Sequence, residues 1–174
     1  MNLVEYQEKA IQTIKYLGSE AADIGHMLVG MSSELNELHD AIMSGDTVSI
    51  AEELADIMWY AVNLATIRKI KIQEWSTVEF GYNDLVYAVS KLNDASKKYM
   101  VYNDRKKEQL EIKWLNRVVE ICYNFAPYGS YVDLPSALDR NIHKLHNVRF
   151  KNGYSDEAAQ NRDLTAERKA LEGK

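Results

Sequence analysis

Proline, cysteine and long apolar runs are scarce in this chain of 174 residues. Proline occurs only at Pro127 and Pro135, and the eight glycines are spread thinly, so long stretches contain no helix breaker. The single cysteine, Cys122, cannot form an internal disulfide, and no apolar leader opens the chain, which favours a reduced, cytoplasmic setting. No run approaches the roughly 18 apolar residues of a membrane helix. The composition predicts one all-α globular domain.

Basic charge is scarce in the first part of the chain. Residues 1–70 hold four basic and eleven acidic side chains, whereas the remainder holds 17 basic and 15 acidic ones. An acidic half disfavours nucleic acid as a partner and suits divalent cations. The charge pattern alone leaves open whether the later basic residues bind phosphate or only solvate the surface.

Apolar residues recur at helical spacing along most of the chain. The spacing predicts helices over about 3–17, 20–44, 49–70, 83–101, 105–126 and 136–149. A short helix follows Ser155, and the tail from Asp163 is either a final helix or a frayed end. Ser49 and Glu52 have the spacing of a capping box at the start of the third helix.

The second and third predicted helices each carry a polar stripe beside the apolar one. Glu34 and Glu37 lie three apart on the second helix, and Glu53 and Asp56 lie three apart on the third. Antiparallel packing across the turn at Gly45 brings all four carboxylates to one point, where they repel each other unless a cation lies between them. Oxygen ligands alone select Mg²⁺ or Mn²⁺. The alternative interpretation is that these are ordinary solvated helix positions.

Two other metal chemistries fit the sequence less well. A ferritin-like di-iron bundle needs Glu-x-x-His pairs, and none of the four histidines has a glutamate three residues before it. The dipeptide His39-Asp40 alone does not make a metal-dependent phosphohydrolase of the His-Asp type, because no convincing further ligands accompany it.

The acidic pattern resembles the MazG-like, all-α nucleoside triphosphate pyrophosphohydrolases, whose mark is E-E-x-x-E followed by E-x-x-D. The match is Ser33-Glu34-Leu35-Asn36-Glu37, then fifteen residues, then Glu53-Leu54-Ala55-Asp56. A later block, 141–163, is similar to a signature of phage-encoded members. The resemblance covers about 20–70 and 136–172 and implies a single MazG-like domain over residues 1–174. In that domain, 71–135 is additional helical material and 163–174 a flexible or helical tail.

The resemblance implies a set of roles. The expected reaction is hydrolysis of a nucleoside triphosphate, a dNTP such as dGTP in the phage setting, to a monophosphate and pyrophosphate. Mg²⁺, for which Mn²⁺ can substitute, is held by the four carboxylates, which are also the catalytic residues. The expected substrate-binding residues are Lys144 and Arg149 for phosphates, Asn63 and Asn141 for sugar or base, and Tyr60, with Trp59 less favoured, beside the base.

One departure from the family pattern keeps a second function open. Ser33 stands where relatives have the first glutamate, which often holds an additional metal or orients the attacking water. Glu37, or a metal-bound water held by Glu34, then takes over as base. The alternative is a catalytically silent helical protein that binds a nucleotide. Relatives form dimers or tetramers, so a homo-oligomer is expected, and the biological role is either house-cleaning or reshaping of the nucleotide pool.

Overall fold

Two long helices joined by a two-residue turn form the centre of the structure. The computed structural model describes residues 1–73, 78–102 and 104–173. Helix α2 spans Glu20–Ser44 and helix α3 spans Thr47–Arg68, and these two pack most extensively on each other. Gly45 ends α2 in the left-handed conformation, with φ of 72°, which glycine adopts without steric cost. Since the turn is so short, the two helices run antiparallel and hold the acidic motifs side by side.

Six further helices surround this hairpin within the described residues. They are α1 (Leu3–Ala10), α4 (Tyr82–Tyr102), α5 (Glu108–Tyr123), α6 (Leu134–His143), α7 (Asp156–Gln160) and α8 (Leu164–Leu171). Helices α1 and α6 pack on α3, while α4 and α5 form a second hairpin that packs on α2 and α3. Helix α8 packs on α6 and on the turn that follows α6.

Every regular element in the described ranges is helical, which confirms the all-α prediction. In the segments that connect the helices there are two isolated β-bridges, one between Phe80 and Phe125 and one between Lys151 and Gly153. No helix in these ranges is long and apolar enough to cross a membrane. Residues 74–77 and Asn103, in the predicted additional stretch, and Lys174, in the predicted tail, lie outside the described residues.

The predicted first helix, 3–17, is too long. Helix α1 ends at Ala10, a single 3₁₀ turn covers Ile11–Thr13, and Ile14 is extended. The chain leaves the helix because its next segment is fixed to the start of α2, where the backbone N–H of Leu17 donates to the Asp23 carboxylate at 2.6 Å. Ser19 caps α2 as expected, by accepting from the N–H of Ala22.

The predicted capping box at the start of α3 is wrong. Asp46 is the N-cap, because its carboxylate accepts from the backbone N–H groups of Val48 and Ser49. The Ser49 hydroxyl donates to the same carboxylate at 2.9 Å, so α3 begins two residues earlier than predicted. Glu52 is thereby released from capping, and its side chain turns to the site described below.

The predicted fifth and sixth helices are each divided. The segment 105–126 contains a 3₁₀ turn at Arg105–Lys107 followed by α5, which ends at Tyr123. In place of the predicted helix 136–149, the structure has α6, which begins at Leu134 and ends at His143, followed by a π-helical turn over Lys144–Arg149. The tail from Asp163 contains α8, which Asp163 caps by accepting from the N–H of Ala166.

Candidate active site

The acidic side chains of the central hairpin meet at one point. One carboxylate oxygen each from Glu34, Glu37 and Glu53 lies within 4.8 Å of the others. Glu34 and Glu37 are neighbours on one face of α2, and Glu53 faces them from α3 because the helices are antiparallel. The hairpin therefore brings both acidic motifs to a single cluster.

The cluster carries more negative charge than its surroundings stabilise. Burial and then nearby negative charges, Asp56 first, raise the pKa of Glu34 to about 7 and that of Glu53 to about 9. The two carboxyl groups are hydrogen-bonded to each other, which requires a proton on one of them. A divalent cation bound here would replace that proton and relieve the repulsion, and the all-oxygen donor set fits a hard ion.

Asp56 lies beside the cluster and has partners of its own. Its Oδ2 accepts from Lys144 Nζ at 2.7 Å, and its Oδ1 accepts from Asn141 Nδ2 at 2.5 Å. The side-chain Oδ1 of Asn141 in turn accepts from the Tyr6 hydroxyl at 2.9 Å. Each carboxylate oxygen retains a lone pair, so these contacts fix the orientation of Asp56 and still allow it to bind a cation.

Lys144 is a fully buried cation between two carboxylates of α3. Its Nζ lies 3.0 Å from Glu52 Oε1 as well as 2.7 Å from Asp56 Oδ2. Burial by itself lowers the pKa of Lys144, but Asp56 and Glu52 outweigh burial and raise the pKa above its ordinary value. Lys144 therefore remains charged and neutralises part of the negative charge of Glu52 and Asp56.

The π-helical turn sets the relative position of Lys144 and Arg149. A π turn closes from residue i to i+5, as shown here by the hydrogen bond from the N–H of Phe150 to the carbonyl of Leu145 at 2.8 Å. Residues five apart then lie nearly one above the other, whereas in an α-helix they lie on different faces. Lys144 contacts Glu52 and Asp56 of α3, and Arg149 lines the cavity that α3 also lines.

A cavity of about 520 Å³ opens in front of the acidic cluster, within the usual range for small-molecule sites. Glu34, Glu37, Glu52, Glu53 and Asp56 line one wall. Basic and aromatic side chains line the rest, namely Lys15, Arg149, Arg162, His26, Trp59, Tyr60, Phe150 and Tyr154. The cavity thus combines an acidic wall, a basic wall and an aromatic region.

Tyr60 enters this cavity because Gly30 has no side chain. A Cβ at position 30 would lie 2.2 Å from Cε1 of Tyr60, so the ring occupies the space of a missing methyl group on α2. The ring also packs edge-on against His26 and Trp59. Burial, followed by the negative charge of Glu34, raises the pKa of the Tyr60 hydroxyl, which therefore stays protonated and is a hydrogen-bond donor.

The five predicted substrate-binding residues fall into two groups. Tyr60 and Arg149 line the cavity. Lys144, Asn63 and Asn141 are fully buried and lie behind the lining. Asn63 donates to the carbonyl of Trp59, four residues earlier on α3. The structure shows supporting contacts for these three, and their direct contact with a substrate stays a prediction.

Several residues of the site are missed by sequence reasoning, among them Glu52, Arg162 and Glu167. Glu52 was assigned to a helix cap, Arg162 belongs to the late block without a role of its own, and Glu167 stands in the charged tail from Asp163, whose helical register the sequence does not fix. The available signal was the late block 141–163, which includes Arg162. Ser33, the departure from the family motif, is exposed on α2.

The fold and the hairpin together define the class of protein. It is an all-α chain whose central hairpin carries the motifs E-x-x-E and E-x-x-D. Residues 22–78 match the family described as the MazG nucleotide pyrophosphohydrolase domain, a segment that contains both acidic motifs. The resemblance to the MazG family that the acidic motifs indicate is confirmed over these residues. No curated protein and no solved structure matches the chain.

Proposed function

We propose that this protein hydrolyses a nucleoside triphosphate between the α- and β-phosphates, with release of a monophosphate and pyrophosphate. The observation that supports it best is the convergence of Glu34, Glu37 and Glu53 within 4.8 Å, opposite the guanidinium of Arg149 in one cavity. The family match over the same hairpin supports the same reaction.

The residues that would hold the metal are Glu34, Glu37, Glu53 and Asp56, with Mg²⁺ as the ion and Mn²⁺ as a substitute. When bound, the ion supplies charge neutralisation at the phosphates and lowers the pKa of a coordinated water. The chain orients its own ligands, because Lys144 and Asn141 hold both oxygens of Asp56. Glu37, the exposed member of the cluster, is the carboxylate that an attacking water reaches most readily.

The aromatic region is the proposed place for the nucleobase. Tyr60, Trp59 and His26 contact one another at the edge of the cavity and offer ring faces and polar edges to a base. Within this function we take a dNTP as the substrate class, with dGTP as the first one to test. The late block that resembles phage-encoded members supports this choice.

A pyrophosphate assay with a panel of NTPs and dNTPs in the presence of Mg²⁺ tests the reaction. We expect pyrophosphate and the monophosphate in equal amounts. Glu53→Gln and Asp56→Asn should each lower kcat at least a hundredfold with helicity retained, because each removes a charge that the reaction centre uses. Asp40→Asn removes an exposed charge from α2 outside the cluster and should leave kcat unchanged. Release of single phosphate, or no turnover, contradicts the proposal.

Thermal unfolding with and without metal tests the cation site independently of turnover. Mn²⁺ or Mg²⁺ should raise the Tm of the wild type, since an ion that binds only the folded state stabilises it. The increase should be lost in Glu53→Gln and kept in Asp40→Asn. Equal increases in all three proteins would place the ion elsewhere.

Ser33 favours a second candidate function, a nucleotide-binding protein without turnover. The serine lies on the exposed face of α2 and offers no carboxylate to an additional metal. Tight binding of a dNTP with Mg²⁺, without pyrophosphate release over hours, is the result that this candidate predicts.

The same family resemblance supports a homodimer or homotetramer. Val29 and Met43, which are 72% and 73% exposed on α2, are apolar side chains that a second copy of the chain would cover. Light scattering at micromolar concentration should give at least twice the 20.0 kDa monomer mass.

A further inference from the structure

Glu167 forms ion pairs with two arginines, Arg149 and Arg162, which lie far from the acidic hairpin in the sequence. The Glu167 side chain is almost completely buried, with 3% of its surface exposed. Arg149 donates to both of its oxygens, from Nε at 2.8 Å and from Nη2 at 2.6 Å. Arg162 donates to Oε2 from Nε at 3.1 Å and from Nη2 at 2.7 Å. Two positive groups that would otherwise repel are therefore held side by side.

Arg149 and Arg162 both line the cavity that the acidic cluster faces. Burial by itself lowers the pKa of Arg162, but Glu167 and, from farther away, Asp56 and Glu52 raise it. Each arginine uses Nε and Nη2 for Glu167, and across the described ranges no hydrogen bond is made by Nη1 of either. The donors that remain are suited to an anion in the cavity.

We propose that Arg162 binds substrate phosphate together with Arg149, and that Glu167 is the positioning residue that aims the two guanidiniums. This rests on the proposed function and assigns the phosphate-binding wall of that site. The carboxylate of Glu167 between two guanidiniums leaves one net positive charge. Among the described residues, the Nη1 groups of Arg149 and Arg162 remain as free donors. The wall therefore recognises a chain of phosphates better than a single one, and selects triphosphate over monophosphate.

The proposal makes α8 a part of the active site. Glu167 lies in the first turn of α8, and Arg162 lies just before it, so both depend on where this helix docks. Arg168 fixes that position from the other side, because its guanidinium donates to the Asp46 carboxylate at 2.7 Å and 3.1 Å. The helix is attached at the turn between α2 and α3 and presents its first turn to the cavity.

Steady-state kinetics of Arg162→Gln and Glu167→Gln test the proposal. Arg162→Gln keeps the pair of Arg149 and Glu167, so it should fold normally. In both variants KM for the triphosphate should rise about ten- to hundredfold, while kcat changes less than about threefold, since a charge-assisted hydrogen bond is lost. Glu167→Asp keeps the charge and should recover most of the lost affinity. The matched control is Lys169→Gln, which removes an exposed charge from the same helix.

A second measurement separates this inference from the proposed function. Calorimetric titration with inorganic tripolyphosphate and orthophosphate at constant Mg²⁺ needs no turnover. The wild type should prefer tripolyphosphate, and Arg162→Gln should lose most of that preference. If no nucleotide is hydrolysed but this preference is found, the proposed function fails and the phosphate wall stands. If turnover occurs and KM is unchanged in Arg162→Gln, or falls in Glu167→Gln, the phosphate wall is wrong.

Discussion

Gly30 shows at the scale of one residue how a missing side chain shapes the site. Tyr60 is half-buried and reaches the cavity only because its ring lies in the space that a Cβ at position 30 would fill. Glycine in a helix interior costs about 1 kcal/mol relative to alanine. The absence of a side chain at position 30 allows the Tyr60 ring to lie next to the acidic cluster.

Gly25 and Gly30 offer a matched pair of substitutions on α2. Gly30→Ala should lower the Tm and raise KM for the nucleotide several-fold, because the new methyl group displaces Tyr60. Gly25→Ala should raise stability by about 0.5–1 kcal/mol with unchanged KM, since nothing lies within 4 Å of a Cβ there. Differential scanning fluorimetry and initial rates on both variants check this. Similar behaviour of the two would mean that Tyr60 adapts without consequence.

The residue scale also separates what a motif can and cannot assign. Glu34, Glu37, Glu53 and Asp56 were predicted to converge because helical spacing and a short turn leave few alternatives. The three glutamates do so, whereas Asp56 lies beside them and is bound by Lys144 and Asn141. Glu52 was misassigned because Ser49 and Glu52 have the spacing of a capping box, while Asp46 competes for the same backbone N–H groups and is the better acceptor. The partner of Glu52 is Lys144, 92 residues away, and only the tertiary structure shows this pairing.

Helix α8 illustrates the scale of an element. It supplies Glu167, which binds the two arginines of the cavity wall, and it attaches through Arg168 to Asp46, whose pKa that guanidinium holds well below its usual range. The π-helical turn acts at the same scale, because it places Lys144 and Arg149 on one side of the chain. The short elements, α8 and the π-helical turn, therefore position the basic wall, while the long helices α2 and α3 position the acidic wall.

The docking of α8 should depend on pH through Glu167. Burial by itself raises the pKa of Glu167, but the guanidiniums of Arg149 and Arg162 outweigh it and lower the pKa to about 2. A carboxylate with a lowered folded-state pKa stabilises the fold above its unfolded pKa, near 4.5, and loses this contribution as pH falls towards 2. At neutral pH the contribution is about 2 kcal/mol, after allowance for the partly exposed Arg162.

Denaturant unfolding of wild type and Glu167→Gln at several pH values measures this contribution. The wild type should be more stable by about 2 kcal/mol at pH 6 to 7, and the difference should shrink steadily below pH 4.5. A difference that stays constant down to pH 3 would show that the ion pairs with Arg149 and Arg162 contribute nothing.

At the scale of the whole molecule, a buried ion pair joins the two hairpins. Arg68, near the end of α3, donates from Nε to Glu111 of α5 at 3.1 Å, and Glu111 is completely buried. Ser96 of α4 donates to the other oxygen of Glu111 at 2.8 Å. The guanidinium also lies 4.0 Å from the centre of the Tyr99 ring. One arginine thus connects the central hairpin with both helices of the second.

Removing Arg68 should destabilise the protein without changing its chemistry. Arg68→Met leaves Glu111 as a buried charge without its cation, at a cost of about 3–5 kcal/mol, or a fall in Tm of roughly 10 °C. Glu20→Gln removes only the 61% exposed partner of the same arginine and should cost less than about 1 kcal/mol. Calorimetry measures both, and kcat below the Tm should be unchanged in both. Equal costs would mean that the buried contact is not the stabilising one.

The sequence by itself determined the central hairpin and its acidic cluster, because both depend on local rules. The apolar spacing predicts α2 with its observed bounds, Gly45 ends it, and residues three apart on a helix are neighbours whatever surrounds them. The ion-pair partners of the basic residues were decided by tertiary structure alone. Lys144 pairs with Glu52, 92 positions earlier in the chain, and the ion pairs of Glu167 with Arg149 and Arg162 depend on how α8 and the π turn dock. Ion pairs between distant segments leave no period in a sequence, since any exposed charge in a tail satisfies the same local rules until packing selects its partner.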